Sequence, residues 1–174
     1  KNKALEVNNA AGFIPGGLFG LNQTTSRFQT GLPIGVFYGL QTDGVFQNQA
    51  EIDAHALQPD AEPGDLRYVD VDGDGVIEFG NDDDLTVIGN PIPDLTMGLN
   101  LNFNYKGFDL GTSLYASIGN DIVRSYERFL TYSNKPSFYL DRWTGEGTSN
   151  TVPRASTNAS NNQLFSSFYV EDGS

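Results

Sequence analysis

From Leu95 the side chains alternate without a break. Leu95, Met97, Leu99, Leu101, Phe103 and Tyr105 are apolar or aromatic, and Thr96, Gly98, Asn100, Asn102 and Asn104 between them are small or polar. Lys106-Gly107 interrupts the pattern, which resumes with Phe108, Leu110, Thr112, Leu114, Ala116 and Ile118 opposite Asp109, Gly111, Ser113, Tyr115 and Ser117. Successive side chains of a strand point to opposite faces, so this period of two predicts strands over 95–105 and 108–118, joined by a two-residue hairpin turn.

Length separates two kinds of sheet. A tilted strand crosses a bilayer in about 9–11 residues, whereas soluble strands most often run to about 5–6. Both predicted strands have membrane length. Their polar face is Asn, Gly, Ser and Thr with one Asp, as a water-filled lumen requires, and Phe103, Tyr105 and Phe108 gather at the turn where an interfacial aromatic girdle would lie. A long hairpin in a soluble β-sandwich with one wet face is the alternative. In a bacterial barrel the tight turn faces the periplasm, so the first strand descends, the second ascends, and residues from about 42 to 93 and from 119 to about 166 lie outside as long loops without obvious strands. Asn120-Asp121 followed by Ile122, Val123, Tyr126, Phe129 and Leu130 predicts one short capped helix in the second outside loop.

Composition sharpens this picture. No apolar run approaches the roughly 20 residues of a transmembrane helix, so any membrane crossing must use strands. With no Cys, disulfides, thiolate metal sites and Cys nucleophiles are excluded, and the compartment stays open. The chain opens at Lys1-Asn2-Lys3 and stops at Glu171-Asp172-Gly173-Ser174 without an initiator Met or signal peptide, and is expected to be a portion of something larger. The net charge is -12, and 13 of the 22 acidic residues fall between Asp43 and Asp84 against one base, Arg67. Elsewhere acids and bases balance. The excess therefore marks a cation site or a solvated loop, and argues against nucleic acid as a partner.

Within that segment, Asp70-Val71-Asp72-Gly73-Asp74-Gly75-Val76-Ile77-Glu78 places carboxylates at relative positions 1, 3 and 5, Gly at 6 and an aliphatic at 8, the first half of an EF-hand-type calcium loop. Alternate side chains converge on a hard cation, Gly75 permits the turn, and Val76 offers its carbonyl. Position 12 is Asn81 where a bidentate Glu is expected, with Asp82, Asp83 and Asp84 next in line to close the shell. The same residue types also make a solvated acidic turn, but three carboxylates at this spacing repel one another without a cation. The expected ion is calcium, with magnesium the alternative, in a structural role.

These words, and others in order along the chain, resemble the SusC/RagA family of TonB-linked outer-membrane proteins of Bacteroidetes. The likeness lies in Gly31-Leu32-Pro33-Ile34-Gly35-Val36-Phe37-Tyr38-Gly39-Leu40 with Thr42-Asp43-Gly44-Val45-Phe46, in Pro63-Gly64-Asp65-Leu66-Arg67-Tyr68-Val69-Asp70, in Ile88-Gly89-Asn90-Pro91-Ile92-Pro93-Asp94, in Tyr105-Lys106-Gly107-Phe108-Asp109-Leu110, and in Leu140-Asp141-Arg142-Trp143-Thr144 with Val152-Pro153-Arg154. Residues 1–30 are less distinctive. The resemblance implies a piece from the C-terminal half of a large barrel, with Val170-Glu171-Asp172-Gly173-Ser174 starting the next strand. It also implies a SusD-like surface lipoprotein over the barrel, glycan or peptide as substrate, and TonB acting through an N-terminal plug. Family loops close with an acid just ahead of the segment matching Thr86-Val87-Ile88-Gly89, which selects Asp84 as last ligand; the extra residues around Phe79 to Asp82 depart from that pattern.

The expected fold is all-β, a fragment of a large antiparallel transmembrane barrel with long extracellular loops and one short loop helix. Its parts are a mainly extracellular segment 1–94 with the acidic site at 70–84, a transmembrane hairpin 95–118, an outside loop 119–166 and the next strand from 167. The expected metal ligands are Asp70, Asp72, Asp74, Val76, Glu78 and Asp84. Tyr126, Tyr132, Tyr139 and Trp143 are candidates for stacking on a sugar or contacting the lid protein, although aromatic packing within the loop is the commoner role of such residues. His55, the only histidine, has no second histidine to make a metal site or triad. No enzymatic activity is expected, because abundant Asp alone does not place two carboxylates across a scissile bond. The function expected is outer-membrane nutrient uptake; a secreted, calcium-stabilised adhesin or carbohydrate-binding domain is the alternative.

Overall fold

The computed structural model describes residues 2–20, 23–126, 134–156 and 161–174. In chain order its strands are β1 (Phe13–Gly16), β2 (Ser26–Gln29), β3 (Val36–Leu40), β4 (Thr42–Val45), β5 (Leu66–Tyr68), β6 (Leu85–Gly89), β7 (Leu95–Tyr105), β8 (Phe108–Ile118), β9 (Asp121–Val123) and β10 (Val170–Asp172), with α1 (Gln49–Ala54) between β4 and β5. All pairings between strands are antiparallel: β1-β2-β3-β6 form one sheet, while β4 pairs with β5, β7 with β8 and β9 with β10. The fold is all-β, as expected, with one short α-helix among the described residues.

The hairpin has the register its sequence dictates. Leu95 faces Ile118, Leu99 faces Leu114 and Phe103 faces Leu110 on one side, while Asn100 faces Ser113 and Asn104 faces Asp109 on the other. Lys106 and Gly107 both take positive φ, 48° and 87°, which is the primed turn whose twist matches that of the flanking strands. The apolar face finds no cover among the described residues, for Leu99, Leu101, Leu110 and Leu114 are 50, 52, 66 and 57% exposed. A second layer over these leucines, which a soluble sandwich requires, is absent there.

The remaining strands build a packed body with two apolar clusters. Leu40, Val45, Leu66, Tyr68 and Ile77 form the first, with Phe79, Leu85 and Trp143 packed against it. In the second, the Phe19 ring lies 5.3 Å from Phe165 and 4.5 Å from Tyr169. Gly39 lets the Phe165 segment approach β3 closely: a Cβ there would come within 2.9 Å of the Phe165 ring and carbonyl oxygen. That approach allows the Leu40 amide to donate to the Phe165 carbonyl.

Three expectations need correction. Asp121 does not cap a helix; Asp121–Val123 is strand, its amide donating to the Asn90 carbonyl at 2.7 Å while its carboxylate accepts the Asn90 amide. Pairing with β10 and the β-branched pair Ile122-Val123 outweigh the helical spacing; Phe129 and Leu130, on which that spacing also relied, lie outside the described residues. The helix found among the described residues is α1, in the first acidic segment, capped by the Asn48 side chain accepting the Glu51 amide. The stretch 42–93 is not strand-free, since β4, β5 and β6 lie within it. Each has only three to five residues, too few for alternation to show. Where the next strand was expected from 167, a 3-10 turn over Ser167–Tyr169 precedes β10.

Candidate functional site

The acidic loop is organised by its own carboxylates. Asp70 accepts the amides of Gly73 and Gly75 at 2.7 and 2.9 Å, Asp72 accepts that of Asp74, and Asp74 accepts that of Val76. The fully buried Asp84 reaches back with both oxygens, to the amides of Val71 at 2.8 Å and Glu78 at 2.7 Å. Side-chain oxygens thus replace the ladder partners that this curled backbone lacks. The loop is docked by a parallel bridge in which the Leu57 amide donates to the Gly75 carbonyl and the Ile77 amide to the Leu57 carbonyl. Buried Ile77, the aliphatic at position 8, anchors it in the core.

Two sets of carboxylate oxygens converge within 4.8 Å, one from Asp70, Asp72 and Asp84 and the other from Asp72, Glu78 and Asp83. Asp72 thus stands with Asp70 and Asp84 in one set and with Glu78 and Asp83, the latter not among the expected ligands, in the other. Asp74 belongs to neither set and instead accepts the Val76 amide at 2.8 Å. Bonds from the Gly75 and Gly73 amides hold the Asp70 carboxyl below its usual range against some desolvation. The Asp74 amide pulls Asp72 down, but desolvation and the charges of Asp74, Asp70 and Asp84 prevail, so its carboxyl sits above the ordinary range. Glu78 is likewise raised: a bond from Asn81 lowers it, while desolvation and the carboxylates of Asp74, Asp83 and Asp72 outweigh that bond. Glu78 Oε2 is shielded from solvent and has no hydrogen-bond partner among the described residues. An all-oxygen, multiply charged donor set with an unsatisfied oxygen fits a hard divalent cation.

The four candidate contact aromatics are not equivalent. Trp143 packs against the first core cluster so closely over Gly64 that a Cβ there would overlap the indole. Tyr139 stacks on Phe138 at 4.5 Å, and Tyr126 is exposed. Tyr132 lies outside the described residues. His55 closes α1, its ring edge-on to Phe46.

Two charged pairs went unnoticed in the sequence. Buried Asp65 accepts from Arg154 Nε at 2.7 Å and from Asn162 Nδ2 at 2.9 Å, joining β5 to the 152–162 segment. Arg27, also buried, lies between the Phe13 and Tyr38 rings and donates to Asp82 at 2.7 Å. The Asp65 and Arg154 words belong to the recognised blocks, which was the available signal; Arg27 had none.

No family model matches the chain. It is 33% identical over 159 residues to TonB-dependent receptor P26 of Formosa agariphila, covering 88% of the chain and 16% of that protein. TonB-dependent receptor P3 of the same organism is 34% identical over 157 residues, covering 88% of the chain and 15% of its own length. TonB-dependent receptor P39 is 25% identical over 211 residues, 98% of the chain and 19% of that protein. The chain therefore spans less than a fifth of the length of these curated relatives. Its long two-faced hairpin and this similarity over most of its length place the chain in the TonB-dependent receptor family.

Proposed function

We propose that this chain is part of the wall and outer surface of an outer-membrane importer that takes up glycan or peptide with energy delivered by TonB. In this reading it is of the SusC/RagA type, with a SusD-like surface lipoprotein closing over the barrel. The observation that carries the reading is the β7–β8 hairpin, an apolar face left bare over two eleven-residue strands and backed by Asn, Ser and Thr. Lipid covers such a face at no polar cost, while the other face looks on water inside the barrel. The body formed by β1 to β6 with residues 134–156 and 161–174 stands outside, where calcium bound by Asp70, Asp72, Glu78, Asp83 and Asp84 pins the acidic loop. Magnesium is the less suited ion, because it demands near-ideal octahedral geometry of a set rich in carboxylates. The chain's role is structural and selective; no step of covalent chemistry is assigned to it.

The bare leucines weigh against a secreted adhesin, which would have to bury them. The test is fractionation of the full-length protein, with and without detergent, beside growth of a receptor-deleted strain on glycan or on peptide as sole nutrient. Outer-membrane recovery that requires detergent, with loss of growth on one nutrient class, is expected. A full-length protein that is soluble and monomeric without detergent rejects the reading.

A further inference from the structure

Counted from Asp70, the residue that closes an EF-hand-type loop is Asn81, yet the carboxylates that meet the others here are Asp83 and Asp84, further along the chain. That extra backbone has to be ordered before they can reach the ion, and every residue fixed opposes the closure. Three neighbouring aspartates divide the work. Asp84 is buried and holds the Val71 and Glu78 amides, while Asp83 accepts from Asn81 Nδ2 at 2.6 Å and stands with Asp72 and Glu78. Asp82 belongs to neither set and accepts from Arg27 Nη2 at 2.7 Å, 55 positions away on β2.

The stretch from Phe79 to Asp82 is pinned at both ends and bare between them. Phe79 packs edge-on against Tyr68 at 5.9 Å in the first core cluster. Gly80 has nothing within 4 Å of where a Cβ would stand, and a cleft of about 410 Å³ lies between this stretch and strands β2 and β3. Among the described residues the bond from Arg27 is the one hydrogen bond that crosses from those strands to it. Arg27 is 8% exposed, with its guanidinium 3.7 Å from the Phe13 ring centroid and 3.9 Å from that of Tyr38. A planar cation clamped between two rings is already ordered before it meets its partner. We propose that Arg27 is a positioning residue for the cation site: by holding Asp82 it fixes the closing backbone so that Asp83 and Asp84 present their oxygens to the ion. The inference rests on the calcium reading of the acidic loop and deepens it, naming a residue on another strand that sets the affinity. Charge alone predicts the opposite effect. A guanidinium near the site repels a cation and neutralises Asp82, so deleting it would tighten binding, whereas losing the pin weakens it.

The test is limited proteolysis of the full-length receptor over a series of buffered free-calcium concentrations, scored by cleavage within residues 70–84, which gives the calcium midpoint of this loop. Arg27→Met fills the space between the two rings without a charge and is expected to raise that midpoint roughly tenfold. Arg27→Lys, which returns a donor to Asp82, is expected to recover most of the loss. Gly80→Ala leaves Arg27 in place and stiffens the stretch where a methyl group meets nothing, so it should lower the midpoint by roughly two- to threefold. An Arg27→Met midpoint at or below that of wild type, with the rest of the outer body still resistant to the protease, overturns the inference. A Gly80→Ala midpoint equal to wild type overturns it too, and decides the matter if Arg27→Met does not fold. A wild-type loop cleaved alike at every calcium concentration is a different result, which rejects the cation reading and this inference with it.

Discussion

The carboxylate of Asp65 and the guanidinium of Arg154 meet at 2.7 Å through Oδ1 and Nε and at 3.3 Å through Oδ2 and Nη2, across 89 positions of sequence. Asp65 is wholly buried, and Glu62 takes a further bond from the same arginine. The pair ties β5 to the segment carrying Val152 and Asn162, and so joins the acidic half of the chain to its end. Removing one member of a buried pair leaves the other charge and its hydrogen bonds without compensation.

Asp65→Ala is therefore expected to destabilise the outer body by about 3 kcal/mol. Trp143, the one tryptophan among these 174 residues, packs beside Gly64 in this region. Pulse proteolysis of the full-length receptor across a denaturant series, scored by cleavage within this segment, measures the effect; a midpoint equal to wild type would show that the pair contributes nothing net.

In the acidic loop two substitutions should behave differently. Asp72 participates in both oxygen sets but accepts only the Asp74 amide, so Asp72→Asn should lower calcium affinity by roughly tenfold and leave the loop folded without the ion. Asp84 holds two amides from a buried position, so Asp84→Asn should speed proteolysis across residues 70–84 with or without calcium. Limited proteolysis with and without chelator reads both, and wild-type cleavage that ignores chelator removes the cation from the loop.

The two hairpin faces predict opposite tolerances. Leu99→Arg puts a charge on the apolar side and should cost about 2–4 kcal/mol near the bilayer midplane, enough to reduce assembled receptor. Asn102→Arg, on the other face opposite Gly111, should assemble normally. Heat-modifiable mobility of outer-membrane fractions compares the two, and equal assembly of both variants would mean that the apolar face does not meet lipid.

At the turn, Gly107→Val places a β-branched residue at φ 87° and should cost about 1–2 kcal/mol. Lys106→Gly, relieving a non-glycine residue at φ 48°, should be neutral or slightly stabilising. The yield of assembled receptor after refolding ranks them; Gly107→Val refolding as well as Lys106→Gly would discount the primed turn.

What the sequence determined by itself was local. Alternation from Leu95 to Ile118 settled the strands, their faces and their register, because a side-chain period of two and a two-residue turn are properties of consecutive residues. The Asp-x-Asp-x-Asp-Gly run likewise marked Asp70 and Asp72, whose oxygens converge by the curl of one short backbone segment. Tertiary structure decided what depends on distant partners. Asp121 became strand because Val170–Asp172 lay beside it, and Asp83 joined the carboxylate cluster while Asp74 turned to the Val76 amide. Arg27 acquired Asp82 from 55 positions away, and Phe19 found Tyr169 across nearly the whole chain. Such contacts leave no periodicity behind, for the energy that selects them is the burial of particular side chains together, and only the folded chain brings those side chains to one place.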